Sequence, residues 1–382
     1  MSPGSGPARR EVRSGRTTSA GRTGRTGRAA RPVVAVTGAA AGVGLSATRA
    51  LAAHPAVGRV ICIDERRGDV PGVTWRVLDV RDPALAGRLG SVDTIVHLAI
   101  DIGVDISTGK AEHGPSSRNV RGTQTVLTAA AAAGVRRVVL CTSAMVYGAL
   151  PDNPVPLAED APLQAVPDGA LVSDLLEIEQ LALRAPRTHP GLEVTVLRPA
   201  TVVGPGIDGL LTRHFEAPRL LVVRGSSPRW QFCHVDDLVT AIVLAALGEV
   251  TGIVSVGCEG SMTQEEVELV SGMRRIELPL SLAFGTAERL HRVGVLPAPA
   301  TDLHYVVHPW VVPSTRLRAA GWRPAYDNPT ALGVLLEQVS GHHAFAARRV
   351  GRRDATIGAA GAAVAVVGTA ALVRRARKKR RG

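Results

Sequence analysis

Short runs of Val and Ile alternate with longer Ala- and Leu-rich stretches from residue 33 onward. Short apolar runs are typical of strands buried on both faces of a sheet, and the longer stretches are typical of helices that cover it. We predict strands at residues 33–37, 60–64, 74–78, 94–98, 137–142 and 194–198. We predict helices between them at residues 44–52, 117–133 and 173–185. This order predicts an α/β fold with a Rossmann-type, doubly wound parallel sheet.

The alternation becomes less regular after residue 204, where Pro and Gly are more frequent. We therefore predict one folded region over residues 32–340, with a smaller C-terminal lobe built mainly from residue 204 onward. This lobe is expected to hold a substrate. Residues 341–354 form a predicted basic linker.

The formal net charge of +12 on 382 residues comes from the two ends of the chain. Residues 1–31 carry eight Arg and one Glu, and residues 374–381 carry seven cations, which leaves about −2 for the remainder. A nearly neutral folded region argues against a basic groove, so no nucleic-acid partner is predicted. Residues 1–31 are rich in Gly, Arg, Thr and Ser and are expected to be disordered. They contain no apolar signal sequence, so we expect the folded region in the cytoplasm.

The cysteines and histidines give no metal or disulfide signal. The four cysteines are widely spaced without a CxxC pair, which predicts reduced thiols. His304 and His308 are spaced as on one helical face, but no third ligand accompanies them. We expect no metal site.

A glycine-rich turn between the first strand and the first helix is the clearest chemical signal. The string VVAVTGAAAGVG places Gly38, Gly42 and Gly44 there, with Ala41 and Val43 between them. Backbone N–H groups and the helix dipole at such a turn can hold a pyrophosphate, and small residues let it approach.

Asp64 stands twenty residues after Gly44, at the end of the next predicted strand. A carboxylate at this place accepts hydrogen bonds from the adenosine ribose and favours NAD over NADP. Arg66 and Arg67 follow directly and could instead accommodate a 2′-phosphate, so NADP remains the less favoured alternative.

Further segments over roughly residues 32–340 resemble the extended short-chain dehydrogenase/reductases, the NAD-dependent epimerase/dehydratase family. These segments are VLDVRD, VDTIVHLA, NVRGTQTVLTAA, CTSAMVYG, VLRPATVVGPG and FCHVDDL. The resemblance implies that Ser143 occupies the position of the catalytic serine. It also implies a cofactor-binding set that comprises Gly38, Ala41, Gly42, Val43, Gly44, Asp64, Asp79, Val80, Leu98, Ala99, Asn119, Ser143 and Pro199.

The family's Tyr-x-x-x-Lys pair is missing from this chain, which makes it an atypical member. In the family the lysine lowers the pKa of the tyrosine, which then acts as acid or base. Alignment places Leu171 and Leu175 at these two positions, and no tyrosine of the chain has a lysine four residues later. Ser143 is therefore interpreted either as a residue that lines the cofactor or as a catalytic residue.

Two acidic groups offer other chemistry. Asp174 and Glu177 are three residues apart on one predicted helix, where they form a solvent-facing stripe or reach the active site. Asp236 and Asp237 follow His234 at a predicted helix start, where we expect the aspartates to cap the helix.

The substrate is open between two classes. Family members that act on nucleotide sugars often carry an Arg that grips the diphosphate, in the segment that ends in HVDD. Here Trp230 occupies that position and Arg229 is displaced by one residue. A sugar nucleotide and an apolar, steroid- or lipid-like alcohol therefore have equal standing.

Residues 355–373 form an uncharged stretch of 19 residues that is rich in Ala and Gly and is followed by the terminal cations. Its length fits a membrane span, but a span would carry these cations outward, against the positive-inside rule. A segment that lies on the anionic inner face of the membrane satisfies both features. Spanning and surface-lying arrangements both remain open, as does a solvent-exposed tail.

Two functions follow from this sequence. The first is a cytoplasmic NAD-dependent oxidoreductase or epimerase that acts on a hydroxyl-bearing small molecule through an unusual acid/base group. The second is an NAD-binding sensor or scaffold near the membrane that does not turn over.

Overall fold

The computed structural model describes residues 31–100, 117–167, 171–217, 219–292, 300–340, 343–345 and 348–350. The strands of the main sheet are β1 (Val33–Thr37), β2 (Arg59–Asp64), β3 (Thr74–Val77), β4 (Thr94–His97), β5 (Arg137–Cys141), β6 (Glu193–Pro199) and β11 (Ile253–Val256). Its helices are α1 (Gly42–Ala53), α2 (Arg118–Ala132), α3 (Leu171–Thr188) and α5 (Val235–Leu247).

The seven strands form one parallel sheet in the order β11-β6-β5-β4-β1-β2-β3. The order reverses between β1 and β4, and the turn after β1 lies at this switch point, where doubly wound sheets bind their ligands. The predicted Rossmann-type fold is confirmed, and the six predicted strands and three predicted helices are found with small shifts at their ends.

Helices cover both faces of the sheet because the central strands are buried on both sides. One face packs against α1 and α5, whose apolar residues include Leu51, Leu238 and Ile242. The other face packs against α2 and α3, through residues such as Val126 and Ile178. Burial of this kind contributes about 25 cal/mol for each Å² of apolar surface, which makes the two layers the main source of stability.

The chain after residue 204 contributes to two regions rather than to the lobe alone. It returns to the main sheet as α5, which packs on α1, and as β11, which extends the sheet beyond β6. The remaining elements after β6, which we call the lobe, lie outside the main sheet.

The lobe consists of short strands in pairs and short helices. Its strands are β7 (Thr201–Val203), β8 (Leu220–Val223), β9 (Arg229–Trp230), β10 (Phe232–His234), β12 (Met262–Thr263) and β13 (Arg275–Leu278). Its helices are α4 (Leu210–His214), α6 (Gln264–Ser271), α7 (Leu280–Arg292), α8 (His304–Val307), α9 (Thr315–Ala319) and α10 (Asn328–Val339). Two further strands, β14 (His343–Phe345) and β15 (Arg348–Val350), pair with each other.

The four cysteines are free thiols, as predicted. Within the described ranges no helix is long and apolar enough to cross a membrane. The basic tail is predicted at residues 1–31, and all of it except residue 31 lies outside the described residues, as do the hydrophobic stretch at 355–373 and the terminal cations.

Candidate functional site

The fold requires a glycine at the first position of the turn, whether or not a ligand binds there. Gly38 has a φ of +69°, and a Cβ atom there would lie 2.7 Å from the carbonyl oxygen of Leu98 and the amide nitrogen of Ala99. The end of β1 and the end of β4 therefore meet at this glycine. Leu98 and Ala99, expected beneath the cofactor, lie directly beside the glycine turn.

Gly42 and Gly44 have different roles. A Cβ atom on Gly44 would lie 1.8 Å from the carbonyl oxygen of Gly38, so this glycine is needed for the turn to close. A Cβ atom on Gly42 would meet only the carbonyl oxygen of Gly206, at 3.7 Å, although its φ of +53° favours glycine. Gly42 therefore faces open space at the turn, whereas Gly44 serves internal packing.

The start of α1 is available to an anion. Ala41 is the N-cap residue of α1, and no side chain caps the helix. Ala41 is exposed and Val43 is half-buried. The N–H groups of the first turn of a helix are a favourable site for a phosphate.

Asp64, at the end of β2, forms a hydrogen bond with this turn. Its Oδ2 atom accepts a hydrogen bond from the backbone N–H of Ala40 at 3.0 Å, and its Oδ1 atom accepts one from Arg66 at 3.2 Å. Asp64 is half-buried, while Arg66 and Arg67 are exposed. The carboxylate therefore lies at the glycine turn, where the sequence places the ribose partner.

Asp79 and Val80 lie at the end of β3, next to α2. The side chain of Arg81 donates hydrogen bonds to both carboxylate oxygens of Asp79, at 3.0 Å from its Nε atom. This contact lowers the pKa of Asp79. Val80 packs against Gly122, where a Cβ atom would lie 3.0 Å from a Val80 methyl group.

A buried polar chain links the glycine turn to α2. His97 is fully buried, with Nδ1 at 2.6 Å from Thr37 Oγ1 and Nε2 at 3.1 Å from Thr123 Oγ1. The Thr123 hydroxyl donates to the carbonyl oxygen of Asn119 at 2.9 Å, so it accepts from His97 Nε2 and Thr37 donates to Nδ1. Burial lowers the pKa of His97 to about 4, which keeps the ring neutral. The sequence analysis did not identify this network. The available signal was a histidine, His97, near the end of a strand that the apolar pattern predicts to be buried.

Asn119 connects α2 to α3. Its Nδ2 atom donates to Asp174 Oδ2 at 3.0 Å, and the side chains of both residues are buried. Asp174 is 1% exposed, so the interpretation of Asp174 and Glu177 as a solvent-facing stripe is wrong for Asp174. The reason is that α3 turns this residue toward α2. Glu177 is half-buried.

Ser143 lies directly after β5, at the carboxyl edge of the sheet. It is the N-cap of a 3₁₀ turn over Ala144–Tyr147, and its Oγ atom accepts a hydrogen bond from Met145 at 3.2 Å. The side chain is half-buried. Tyr147 is not available as an acid or base, because it is buried and its hydroxyl donates to the carbonyl oxygen of Glu159 at 2.7 Å.

A buried ion pair contacts Thr142, the residue before Ser143. Arg198 donates to Glu179 through Nε and Nη2, at 2.9 and 2.8 Å, and the Thr142 hydroxyl donates to the same carboxylate at 2.7 Å. These contacts join α3, β6 and the end of β5. Pro199 follows Arg198 at the end of β6, opposite Val256 of β11.

The two positions aligned with the family's Tyr-x-x-x-Lys pair are apolar and packed. Leu175 is fully buried, and Leu171 is half-buried at the start of α3. A lysine would not fit the place of Leu175 without burying its charge.

The segment before α5 is built into the fold. Trp230 is buried, and its Nε1 atom donates to Gln264 Oε1 at 2.9 Å. The N-cap of α5 is His234, whose Nδ1 atom accepts from the N–H of Asp236 at 3.2 Å. The expectation that the aspartates cap α5 is therefore wrong, because Asp237 instead accepts hydrogen bonds from the backbone of Ala325 and Tyr326.

Comparison with known proteins decides the family. The sequence model of the NAD dependent epimerase/dehydratase family matches residues 34–257, more than half of the chain. The chain belongs to this family. An uncharacterised protein of Mycobacterium tuberculosis is 31% identical over 319 residues, which cover 78% of this chain and 82% of that protein.

Two proteins with named activities are also similar to this chain. A dTDP-glucose 4,6-dehydratase of Streptomyces niveus is 34% identical over 180 residues, 44% of this chain and 49% of the relative. The structure of a DesIV double mutant (dTDP-glucose 4,6-dehydratase) from Streptomyces venezuelae, with NAD bound, has a TM-score of 0.59 and 24% identity. It covers 80% of this chain and 95% of that chain.

NAD is the cofactor of the epimerase/dehydratase family, and the residues of this chain fit it. The missing side chain at Gly42 leaves open space, the first turn of α1 carries no side-chain cap, and Asp64 stands at the turn. Ser143 follows β5, which is separated from β1 by β4, at the same edge of the sheet.

Proposed function

We propose that this protein is an NAD-dependent oxidoreductase or epimerase that acts on a hydroxyl-bearing small molecule without a Tyr-x-x-x-Lys pair. The observation that carries the proposal is the contact of Asp64 with the Ala40 amide beside the open position at Gly42. This arrangement favours a dinucleotide with a free ribose 2′-hydroxyl, because the carboxylate accepts from that hydroxyl and repels a 2′-phosphate. NADP is the less favoured cofactor.

The chain supplies positioning groups around the reaction site. Bound NAD would supply the chemistry of a hydride acceptor for a carbinol carbon, and an epimerase would return that hydride. In the proposal the half-buried Ser143 hydroxyl orients the reacting oxygen, while Leu98, Ala99, Asn119 and Pro199 line the cofactor. Leu171 and Leu175 have no ionisable group. In the proposal, the proton of the reacting hydroxyl therefore leaves through a group outside the family's pair.

A specific observation favours the second function, a sensor or scaffold that binds NAD without turnover. Leu175 is fully buried, so the position of the family's lysine has become part of the core. A protein that only senses NAD needs the glycine turn and Asp64 but no acid or base. The two functions differ in whether an alcohol is converted in the presence of bound NAD.

The substrate class is proposed from the relatives and from Trp230. One sequence relative is a dTDP-glucose 4,6-dehydratase, which supports a sugar-like substrate. Trp230 occupies the position of the diphosphate-binding Arg and is buried, which favours a substrate without a nucleoside diphosphate. A steroid- or lipid-like alcohol keeps equal standing with a sugar.

We also propose that residues 355–382 place the protein at the inner face of the cytoplasmic membrane. The support is the sequence alone: 19 uncharged residues are followed by seven cations. Each cation near an anionic surface contributes about 1 kcal/mol, and the small apolar side chains add a modest burial term.

The experiment that tests the proposed function mixes the purified protein with NAD and with sugars, nucleotide sugars and steroid alcohols in turn. Formation of reduced NAD with one class supports the oxidoreductase. Conversion of one class to a new isomer without accumulation of reduced NAD supports the epimerase, which returns the hydride. Tight NAD binding with neither reduced NAD nor a converted substrate supports the sensor, and the absence of NAD binding contradicts all three.

A further inference from the structure

The carboxylate of Asp174 is buried in an otherwise apolar contact between two helices. The side chain is 1% exposed. One turn and two turns further along the same face of α3, Ile178 and Ala182 pack in one apolar cluster with Val126 of α2. Burying a carboxylate costs free energy, and its replacement by an apolar side chain of similar volume is often neutral or stabilising. Stability alone therefore does not explain an aspartate at this position.

The partner of this carboxylate is an amide whose orientation it fixes. Asn119 Nδ2 donates to Asp174 Oδ2 at 3.0 Å, and the Asn119 side chain is also buried. An ionised carboxylate only accepts hydrogen bonds, so it pairs with the nitrogen of the amide and not with its oxygen. The nitrogen of Asn119 therefore faces α3, and its Oδ1 atom faces away from Asp174. An amide oxygen can accept two hydrogen bonds.

The backbone of Asn119 is tied to the glycine turn. Its carbonyl oxygen accepts from the Thr123 hydroxyl at 2.9 Å, and Thr123 Oγ1 lies 3.1 Å from His97 Nε2. His97 ends β4, and its Nδ1 atom lies 2.6 Å from Oγ1 of Thr37, the residue before Gly38. A continuous series of hydrogen bonds therefore joins Asn119 to the start of the turn.

The start of α2 reaches both sides of the glycine turn. Arg118 pairs at 2.8 Å with Glu65, which follows β2. Asn119 instead contacts α3, which also contacts the turn after β5. In the strand order β2-β1-β4-β5, Asp64 ends β2 and Ser143 follows β5. A dinucleotide with its adenosine ribose at Asp64 therefore extends its nicotinamide half toward Ser143, on the side to which Asn119 points.

We propose that Asp174 is a positioning residue of the dinucleotide site. It holds the Asn119 amide so that Oδ1 accepts a hydrogen bond from a hydroxyl of the nicotinamide ribose. The inference rests on the proposed NAD site and adds a residue that does not touch the cofactor itself. Asp174 acts through Asn119 because its own carboxylate is buried.

The test compares the affinities of NAD and ADP by calorimetry, since ADP has the adenosine and the diphosphate of NAD but no nicotinamide ribose. Asp174→Leu removes the acceptor that fixes the amide, so we expect NAD affinity to fall about tenfold and ADP affinity to stay at the wild-type value. Asp174→Asn keeps an oxygen at the same place and should hold NAD affinity within about threefold of the wild type. Glu177→Leu, at a half-buried acid of the same helix, is the control and should leave both affinities unchanged.

A double substitution separates the hydrogen bond from the stability of the helix contact. Asn119→Leu combined with Asp174→Leu replaces both partners by apolar side chains of similar shape, which can be nearly neutral for stability. The double variant should therefore fold. It should lose as much NAD affinity as Asn119→Leu alone, because the two residues act through one hydrogen bond.

Equal losses of NAD and ADP affinity in Asp174→Leu would overturn the proposal, because a purely structural role changes both. Wild-type NAD affinity in the double variant would also overturn it, as would failure of both Asp174→Leu and the double variant to fold. An Asp174→Asn variant as weak as Asp174→Leu would assign the role to the charge and not to the hydrogen bond.

These readouts require no turnover, so they are separate from the test of the proposed function. A wild type that binds NAD but converts no alcohol contradicts the enzyme and leaves this inference standing. A wild type that does not bind NAD contradicts both.

Discussion

Asp64 Oδ2 accepts a hydrogen bond from the backbone N–H of Ala40 at 3.0 Å, so the acid expected at the ribose also holds the loop expected at the pyrophosphate. The ribose side and the pyrophosphate side of the proposed dinucleotide site are thus joined by a hydrogen bond. A change at Asp64 alters both the charge beside the ribose and the position of the loop.

Two substitutions at Asp64 separate these effects. Asp64→Asn keeps an oxygen for the Ala40 amide and removes the charge, so we expect discrimination against NADP to fall while NAD affinity changes little. Asp64→Ala also removes the hydrogen bond, which contributes about 1 kcal/mol, so NAD affinity should fall further. Calorimetry with both cofactors measures this. Unchanged NAD and NADP affinities in both variants would show that Asp64 is not at the ribose.

Gly42 and Gly44 should respond differently to the same substitution. Gly44→Ala places a methyl group 1.8 Å from the Gly38 oxygen, so we expect a loss of about 3 kcal/mol of stability or no folded protein. Gly42→Ala meets nothing closer than 3.7 Å and costs about 1 kcal/mol for its backbone conformation. It should fold and lose NAD binding, as seen by thermal unfolding and calorimetry. Normal NAD affinity in Gly42→Ala would move the pyrophosphate away from this loop.

The pattern of apolar residues predicted the first six strands and the first three helices. Each strand is a short run rich in apolar residues, and each helix is a longer Ala- and Leu-rich stretch. The pattern did not predict β11, since Ile253–Val256 follows a region of irregular pattern. The position of Gly44 was predicted, but not its contact with Gly38, because the contact depends on how the turn closes. The burial of Asp174 depends on α2–α3 packing, which spacing along one helix does not reveal.

His97 predicts a pH dependence of stability. Its pKa is lowered from 6.5 to about 4 in the folded protein, so between these values the unfolded chain binds more protons. Stability is therefore full above about pH 6.5 and falls as the pH decreases toward 4, by on the order of 3 kcal/mol for this group. His214, whose pKa is also lowered to about 4, contributes in the same window.

The variant His97→Gln tests this account. It should lower stability at pH 7 and flatten the decrease between pH 6.5 and 4, as measured by denaturant unfolding at several pH values. His189→Gln, at the end of α3 and outside the network, serves as the control and should keep the wild-type slope. An unchanged slope in His97→Gln would contradict the assignment of His97 as the titrating group.

Residues 355–382 predict binding to anionic vesicles. The full chain should co-sediment with vesicles that contain anionic lipid, because apolar burial and surface attraction act together. A chain that ends at His343 should stay in solution and keep its NAD affinity. Replacement of the seven terminal cations by Ser should weaken binding and reduce its salt dependence, since salt screens charges and not buried methyl groups.

The outcomes for the C-terminal segment distinguish the arrangements. Binding that survives both high salt and the Ser replacement but is lost on truncation indicates a spanning helix. If the full chain does not co-sediment with vesicles, residues 355–382 have no membrane role.

The central claim is that this chain uses bound NAD in turnover although our alignment places Leu171 and Leu175 at the positions of the family's acid/base pair. The most direct measurement mixes the wild type and Ser143→Ala with NAD and each class of alcohol, and follows both the absorbance of reduced NAD and the conversion of the alcohol. We predict reduced NAD or a converted alcohol with one class for the wild type, and a kcat about a hundredfold lower for Ser143→Ala, because one oriented hydrogen bond at the reacting oxygen is lost. Bound NAD that stays oxidised while every class of alcohol stays unconverted would contradict the claim and leave the protein as an NAD sensor.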